Sequence, residues 1–391
     1  MMRNKSWAVL VGVAIVLGGA AWWVTSSRNQ ASEADFTPKP MFPGLTAKVN
    51  DVDSLEIATP KALFRIEKGA DSEHWTMPGH AGYPVQADLV RKNVLGIAGL
   101  ETIEPRSDKP ENYDLLQVAD PEHYKPVDKA AESDPGPVLI RLVGKDAKPI
   151  AAVIVGKTKS YPVEGKPGQY LVRKPDEARA WVARGMLDAK ADPIDWLVKD
   201  LIKIDRNRVA EASVRQPDGE TLALVRAPKT DKDAGSANFT PSEPLPKGMK
   251  ISSQYDVNAV AGVLSWMTFD DVAKAADHDF SKATVTDLKT LDGVHAVIRS
   301  IPAMDKDGKD DKKAWITIAV TYDPALLKPD AANPDLLKPD DAQKQVKEAA
   351  ARMDGWAYLV PESERRDLTR HLKDLLEADK PEDKKDAKKA G

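Results

Sequence analysis

The residues with the most chemical reach are two histidines, His74 and His80, six positions apart in the run HWTMPGH, with Glu73 beside the first. A bound zinc ion needs three or four ligands, steadied by groups behind them. No His-Glu-x-x-His arrangement completes the set. The pair is therefore expected to be structural or exposed. The acidic run Asp305-Lys-Asp307-Gly308-Lys-Asp310-Asp311 is similar to a calcium loop, but its glycine stands fourth and no twelfth-position glutamate follows. A solvated hairpin turn is the expectation there. Gly-x-Ser-x-Gly, Gly-x-x-x-x-Gly-Lys and Gly-x-Gly-x-x-Gly are all missing, as is every cysteine. Nor does any carboxylate pair sit in the apolar setting that would tune it for acid–base work. No catalytic, cofactor-binding or metal residue is therefore expected. Trp75, Trp181, Trp196, Trp266, Trp315 and Trp356 are scattered through strand and helix patterns. Core packing is the expected role of each, with a stacking platform for sugar as the other reading.

Composition narrows the partners. The 391 residues carry 57 Lys and Arg against 61 Asp and Glu, a net charge of −4. That near balance, without a basic patch interleaved with aromatics, argues against nucleic acid.

The elements that would position these residues begin with an uncharged run of 18, Trp7–Val24. As a helix it would span about 27 Å, close to the ~30 Å core of a bilayer. Arg3 and Lys5 precede it and only Arg28 closely follows, so the expected orientation is N-in. Trp7 at one end and Trp22 and Trp23 at the other suit the two interfaces, and these three are the expected anchor residues. A cleaved signal peptide is the alternative, with small residues at Gly18-Gly19-Ala20-Ala21.

Residues 1–26 then read as cytoplasmic N-terminus and anchor, 27–40 as linker, and 379–391 as a disordered charged tail. The body reads as a duplication, with a first α+β repeat over 41–200 and a second over 201–378. Val52–Pro60 and Ala62–Gly69 match Val209–Pro217 and Thr221–Pro228, alternating strands each closed by a short turn. The helix patterns Ala87–Glu104 and Ser253–Asp271 follow, with Gly96 aligned to Gly262. Strands 137–144 and 150–157 align with 294–303 and 314–322, and a strand-into-helix at 168–183 aligns with 355–372. Residues 324–343 hold a tandem LKPD repeat that reads as a surface insertion before the last helix. The expected class is α+β: an N-terminal transmembrane helix, then two duplicated units with mainly antiparallel sheets.

The stretches 41–57 (MFPGLTAKVNDVDSLEI), 74–100 (HWTMPGHAGYPVQADLVRKNVLGIAGL) and 170–182 (YLVRKPDEARAWV) together resemble the domain-of-unknown-function 4340 family of membrane-anchored bacterial envelope proteins. The resemblance covers most of 41–270. It implies an auxiliary subunit beside an ABC-type transporter of the gliding-motility class, with a permease and an ATPase as partners, and it carries over no functional residue. The expected protein is thus non-enzymatic, single-pass in the inner membrane, with its bulk in the periplasm. The alternatives are an envelope polysaccharide- or lipid-binding module independent of a transporter, favoured by exposed tryptophans in one groove, and an envelope hydrolase.

Overall fold

The computed structural model describes residues 37–69, 74–127, 134–164, 166–228, 237–328 and 333–379. They divide into two units: one holds Val85–Trp196 and the chain up to Trp75, the other holds Thr76–Pro84 and the chain from Leu197.

The first unit holds β1 (Lys39–Pro40), β2 (Val52–Ala58) and β3 (Leu63–Lys68), followed in the chain by the short β4 (Trp75–Met77) and β5 (Tyr83–Pro84), which lie outside it but for Trp75. Helix α1 (Ala87–Ala98), β6 (Glu101–Pro105), α2 (Tyr113–Leu116), β7 (Val138–Gly144), β8 (Pro149–Ser160), β9 (Gly168–Arg173) and β10 (Ala180–Gly185) complete it. The sheet runs β1-β6-β10-β9-β8-β7-β2-β3, antiparallel throughout. Residues Thr76–Pro84, the β4–β5 hairpin, group with the second unit. Alternation sets the faces: in β3, Phe64 and Ile66 point inward while Leu63 and Arg65 stay exposed. Strand β7 is buried at six of its seven positions, the signature of a strand covered on both sides. Val118, Leu139, Ile154, Leu171, Ala180 and Val182 form a core cluster that Tyr113 and Leu116 of α2 pack against.

The second unit holds β11 (Val209–Arg215), β12 (Thr221–Arg226), β13 (Phe239–Pro241), β14 (Met249–Ile251), α3 (Gln254–Ala261), β15 (Asp271–Lys274) and β16 (Thr284–Thr290). There follow β17 (Val294–Met304), β18 (Asp310–Tyr322), α4 (Pro339–Met353), β19 (Trp356–Val360), α5 (Glu362–Leu368) and β20 (Leu376–Ala378). Its main sheet runs β13-β12-β11-β16-β17-β18-β19-β15, and β14 pairs with β20 apart from it. Seven neighbouring positions, β6-β10-β9-β8-β7-β2-β3 and β15-β19-β18-β17-β16-β11-β12, follow the same chain order in the two sheets. Helix α4 packs on β17 and β18; α3 and α5 touch each other and rest on β11 and β13 and on β16–β18.

The expected fold class needs correction. The described residues are mostly antiparallel sheet, 20 strands in three sheets, with helices of at most 15 residues. None of those helices is long and apolar enough to cross a membrane. The longest, α4, buries only Ala342, Val346, Ala349 and Met353 and turns a charged face outward. The run Trp7–Val24, with Trp7, Trp22 and Trp23, lies outside the described residues.

Three local expectations also change. Sheet order places β7 (Val138–Gly144) where β16 (Thr284–Thr290) stands in the other unit, one strand earlier than the sequence alignment to 294–303. Residues 174–179 are a turn between β9 and β10, so the helix expected within 168–183 is not formed. The second LKPD motif opens α4: Pro339 takes the first helical turn, where its missing N–H costs nothing, and Asp340 and Asp341 complement the helix dipole.

Candidate functional site

Of the six tryptophans beyond the apolar run, Trp196 is fully buried against Phe64, Trp315 stacks on His278 at 4.3 Å, and Trp356 meets Tyr83 edge-on at 4.8 Å. Trp75 and Trp181 are half-buried. Trp266 departs from the core role expected of it: 80% of it is exposed, and 75% of Tyr255 is exposed nearby. Both line one open groove of about 480 Å³ in the second unit.

The groove follows from local sequence. Ser253 caps α3, its hydroxyl accepting the Asp256 N–H at 3.3 Å. Val257, Val260 and Ala261 turn to the core. Tyr255, Ala259, Gly262 and Trp266 are spaced i, i+4, i+7 and i+11, and all four line the groove. Ala259 and Gly262 leave its floor low; a Cβ on Gly262 would stand 3.6 Å from the Arg206 Cδ.

One wall is Asp205–Asn207. The Ile204 N–H donates to the Leu264 carbonyl at 3.1 Å, and the Ser265 hydroxyl to the Ile204 carbonyl at 3.0 Å, which ties this segment to the end of α3. The Asp205 carboxylate caps the turn by accepting the Asn207 N–H at 2.7 Å. The opposite wall is α5, where Glu364 and Asp367, three residues apart, share a face. Glu364 accepts the Thr268 hydroxyl at 3.2 Å and a hydrogen bond from Ser363. Asp367 is held by Arg370 at 2.9 Å and Arg366 at 3.3 Å.

Charges in the groove are incompletely paired. Among the described residues neither Asp205 nor Glu364 has a basic partner, and Arg206 has no acidic one; the Arg206 Nε is buried without a hydrogen bond. Flat aromatic faces, a low floor and free polar groups are the parts of a recognition surface. No lining residue is a histidine or cysteine.

A recess of about 740 Å³ in the first unit differs in this respect. Its Asp188 bridges Lys92 at 3.1 Å and Lys190 at 2.9 Å. Burial pushes the Asp188 carboxyl up, yet the two ammonium groups outweigh it and leave the group below its ordinary value.

The other sequence candidates resolve into structure. His80 Nδ1 lies 2.9 Å from Asp271 Oδ1. Burial acts to raise the Asp271 carboxyl, but hydrogen bonds from His80 and from the Val272 N–H bring it below the usual range. His74 is exposed at the start of β4. Among the described residues no group of three or more His, Cys, Asp or Glu is placed to hold a metal. The acidic run is the β17–β18 turn: Asp305 accepts the N–H groups of Asp307 at 2.9 Å and Lys309 at 2.8 Å, and Gly308 takes φ 74°.

Sequence reading missed the groove because Tyr255 and Trp266 sit in a stretch whose apolar stripe is real. The signal was the second stripe, 255/259/262/266, off the core face. A family model described as domain of unknown function DUF4340 matches residues 75–291. That is more than half of the chain, which therefore belongs to this family. No curated protein matches it.

Proposed function

We propose that this member of the DUF4340 family is a non-enzymatic binding protein of the bacterial envelope, whose second unit holds a polysaccharide chain across Tyr255 and Trp266. One observation carries the reading: two large aromatic side chains, 75% and 80% exposed, flank a single polar groove. Burying a side chain of this size gains roughly 1.5–3 kcal/mol, and neither ring takes that gain inside the fold. Pyranose rings offer C–H faces to stack on such platforms and hydroxyls for the flanking carboxylates, amide and guanidinium. The shared strand order supports reading the two units as copies of one ancestor. The groove of the second is then a later specialisation, since the first-unit positions aligned with Tyr255 and Trp266 are Leu89 and Leu100.

The test is retention of the full-length protein on insoluble envelope polysaccharide, wild type against Tyr255→Ala/Trp266→Ala. Retention lost in the double variant, with unchanged thermal unfolding, supports the reading. Equal retention of both proteins, or of neither, overturns it. A permease and an ATPase recovered with the protein from cross-linked membranes would then return the weight to the transporter-auxiliary role.

A further inference from the structure

Resting on that reading, we infer that the sugar held between Tyr255 and Trp266 carries a free amine, so that the groove selects amino-sugar chains over neutral or N-acetylated ones. The charges that line the groove make the argument. Three carboxylates, Asp205, Glu364 and Asp367, face it against one guanidinium, Arg206. Asp367 is neutralised by Arg366 and Arg370. Asp205 and Glu364 are left with neutral donors only, the Asn207 N–H and the hydroxyls of Thr268 and Ser363. A neutral sugar covering the groove would strip water from two carboxylates and return only hydroxyl hydrogen bonds. An ammonium returns charge-assisted bonds, roughly twice as strong as neutral ones. The aromatic rings act in the same direction, because the negative face of tryptophan or tyrosine attracts a cation while the ring carbons of the sugar cover the rest. Arg206, which has no acidic partner among the described residues, brings a guanidinium to the same lining for a ring or glycosidic oxygen.

The experiment titrates the full-length protein with fully deacetylated and fully N-acetylated chito-oligosaccharides of equal length, wild type against Asp205→Asn/Glu364→Gln. Both substitutions remove the charge; Asn at 205 keeps the acceptor for the Asn207 N–H, and Gln at 364 keeps one for the Thr268 or the Ser363 hydroxyl, so unchanged thermal unfolding of the double variant is the control. The deacetylated chain is expected to bind at least about tenfold tighter, about 1.4 kcal/mol. The double variant is expected to lose that margin and bind the two chains equally. Equal binding of the two chains, or preference for the N-acetylated one, overturns the amine and leaves the polysaccharide reading standing. A preference that survives in the double variant overturns its assignment to these carboxylates. Binding of neither chain overturns the inference; whether the broader reading falls too is decided separately by retention on polysaccharide.

Discussion

Arg208 and Asp292 meet edge to edge: Nε stands 2.7 Å from one carboxylate oxygen and Nη2 3.2 Å from the other, with the side chains 5% and 2% exposed. The other lone pairs of Asp292 are used as well. Arg208 Nη1 donates to Gln345 of α4 at 3.0 Å, while the Thr290 hydroxyl and the Leu337 N–H donate to Asp292 at 2.6 and 3.0 Å. The pair thus fastens the start of β11, the β16–β17 turn and the approach to α4. A buried pair is worth little against an apolar replacement, but removing one partner strands the other charge. Asp292→Ala is expected to destabilise the second unit by about 3–5 kcal/mol. Urea unfolding of the full chain checks this; a change under about 1 kcal/mol would show that the site takes up water and relaxes.

That network also shows where sequence reading stops. Strands such as β2 and β12 are legible because their inward positions, Ser54 apart, are Leu, Ile and Val. Strand β16 is not, although its burial alternates strictly. Its inward residues include Thr284, Thr286 and Thr290, polar by type and buried because each hydroxyl has a partner: Gln216 at 3.0 Å, the Leu368 carbonyl at 2.8 Å, and Asp292. A hydrophobic period cannot see a face closed by hydrogen bonds that form only after folding. The missed strand then shifted the alignment of the halves by one. Helix α4 is hidden for another reason: half of its buried stripe is alanine, and it opens within an LKPD repeat that reads as a loop. Thr286→Val tests the point. It keeps the shape, removes the donor, and leaves the Leu368 carbonyl unsatisfied; a loss of about 1–3 kcal/mol is expected, and a gain would mean that the hydroxyl serves no purpose there.

Acid should loosen the second unit in a defined window. Hydrogen bonds from Arg365 and from the Lys312 N–H lower the Asp310 carboxyl from 3.8 to about 2; Arg365 Nη2 lies 2.7 Å from one of its oxygens. Burial acts to raise Asp292 and Asp271, but their hydrogen-bond donors outweigh it, and both groups end below the ordinary value. A carboxyl with a lower pKa folded than unfolded contributes stability above its unfolded value and loses it as pH falls through the folded one. For Asp310 the contribution is complete above about pH 4 and gone near pH 2. Because this pair is half-exposed, solvent screens most of it. Asp310→Asn should therefore lower the midpoint of thermal unfolding modestly at neutral pH, and the gap from wild type should close near pH 2. A gap that persisted there would mean that the carboxylate is not the source.

Two glycines aligned by sequence, Gly96 and Gly262, are held for different reasons. A Cβ on Gly96 would stand 2.3 Å from the Met186 carbonyl oxygen and 2.9 Å from Leu187, so the helix and the chain leaving β10 need the bare backbone. On Gly262 the nearest atom is the Asn258 carbonyl oxygen at 3.2 Å, then the Arg206 side chain. Gly96→Ala is expected to cost about 1–3 kcal/mol through overpacking, more than the ~1 kcal/mol alanine gains in a helix. Gly262→Ala should stay within about 0.5 kcal/mol. Parallel unfolding curves decide it; equal effects would mean that the two positions share one constraint.

The aromatic pair separates stability from recognition. Tyr255 and Trp266 give little to the fold, being 75% and 80% exposed, so Tyr255→Ala and Trp266→Ala should each shift stability by no more than about 0.5 kcal/mol. Trp196→Ala is the contrast: that ring is fully buried, packs on Phe64, and donates its N–H to the Lys190 carbonyl at 3.0 Å, and its loss should cost about 3–5 kcal/mol in the first unit. Retention on polysaccharide should follow the opposite ranking, falling with either groove variant and surviving a stable, milder change at position 196 such as Trp196→Phe. If instead Trp266→Ala destabilised the protein as much as Trp196→Ala, the ring would be serving the fold, and the groove would lose the feature that marks it as a binding surface.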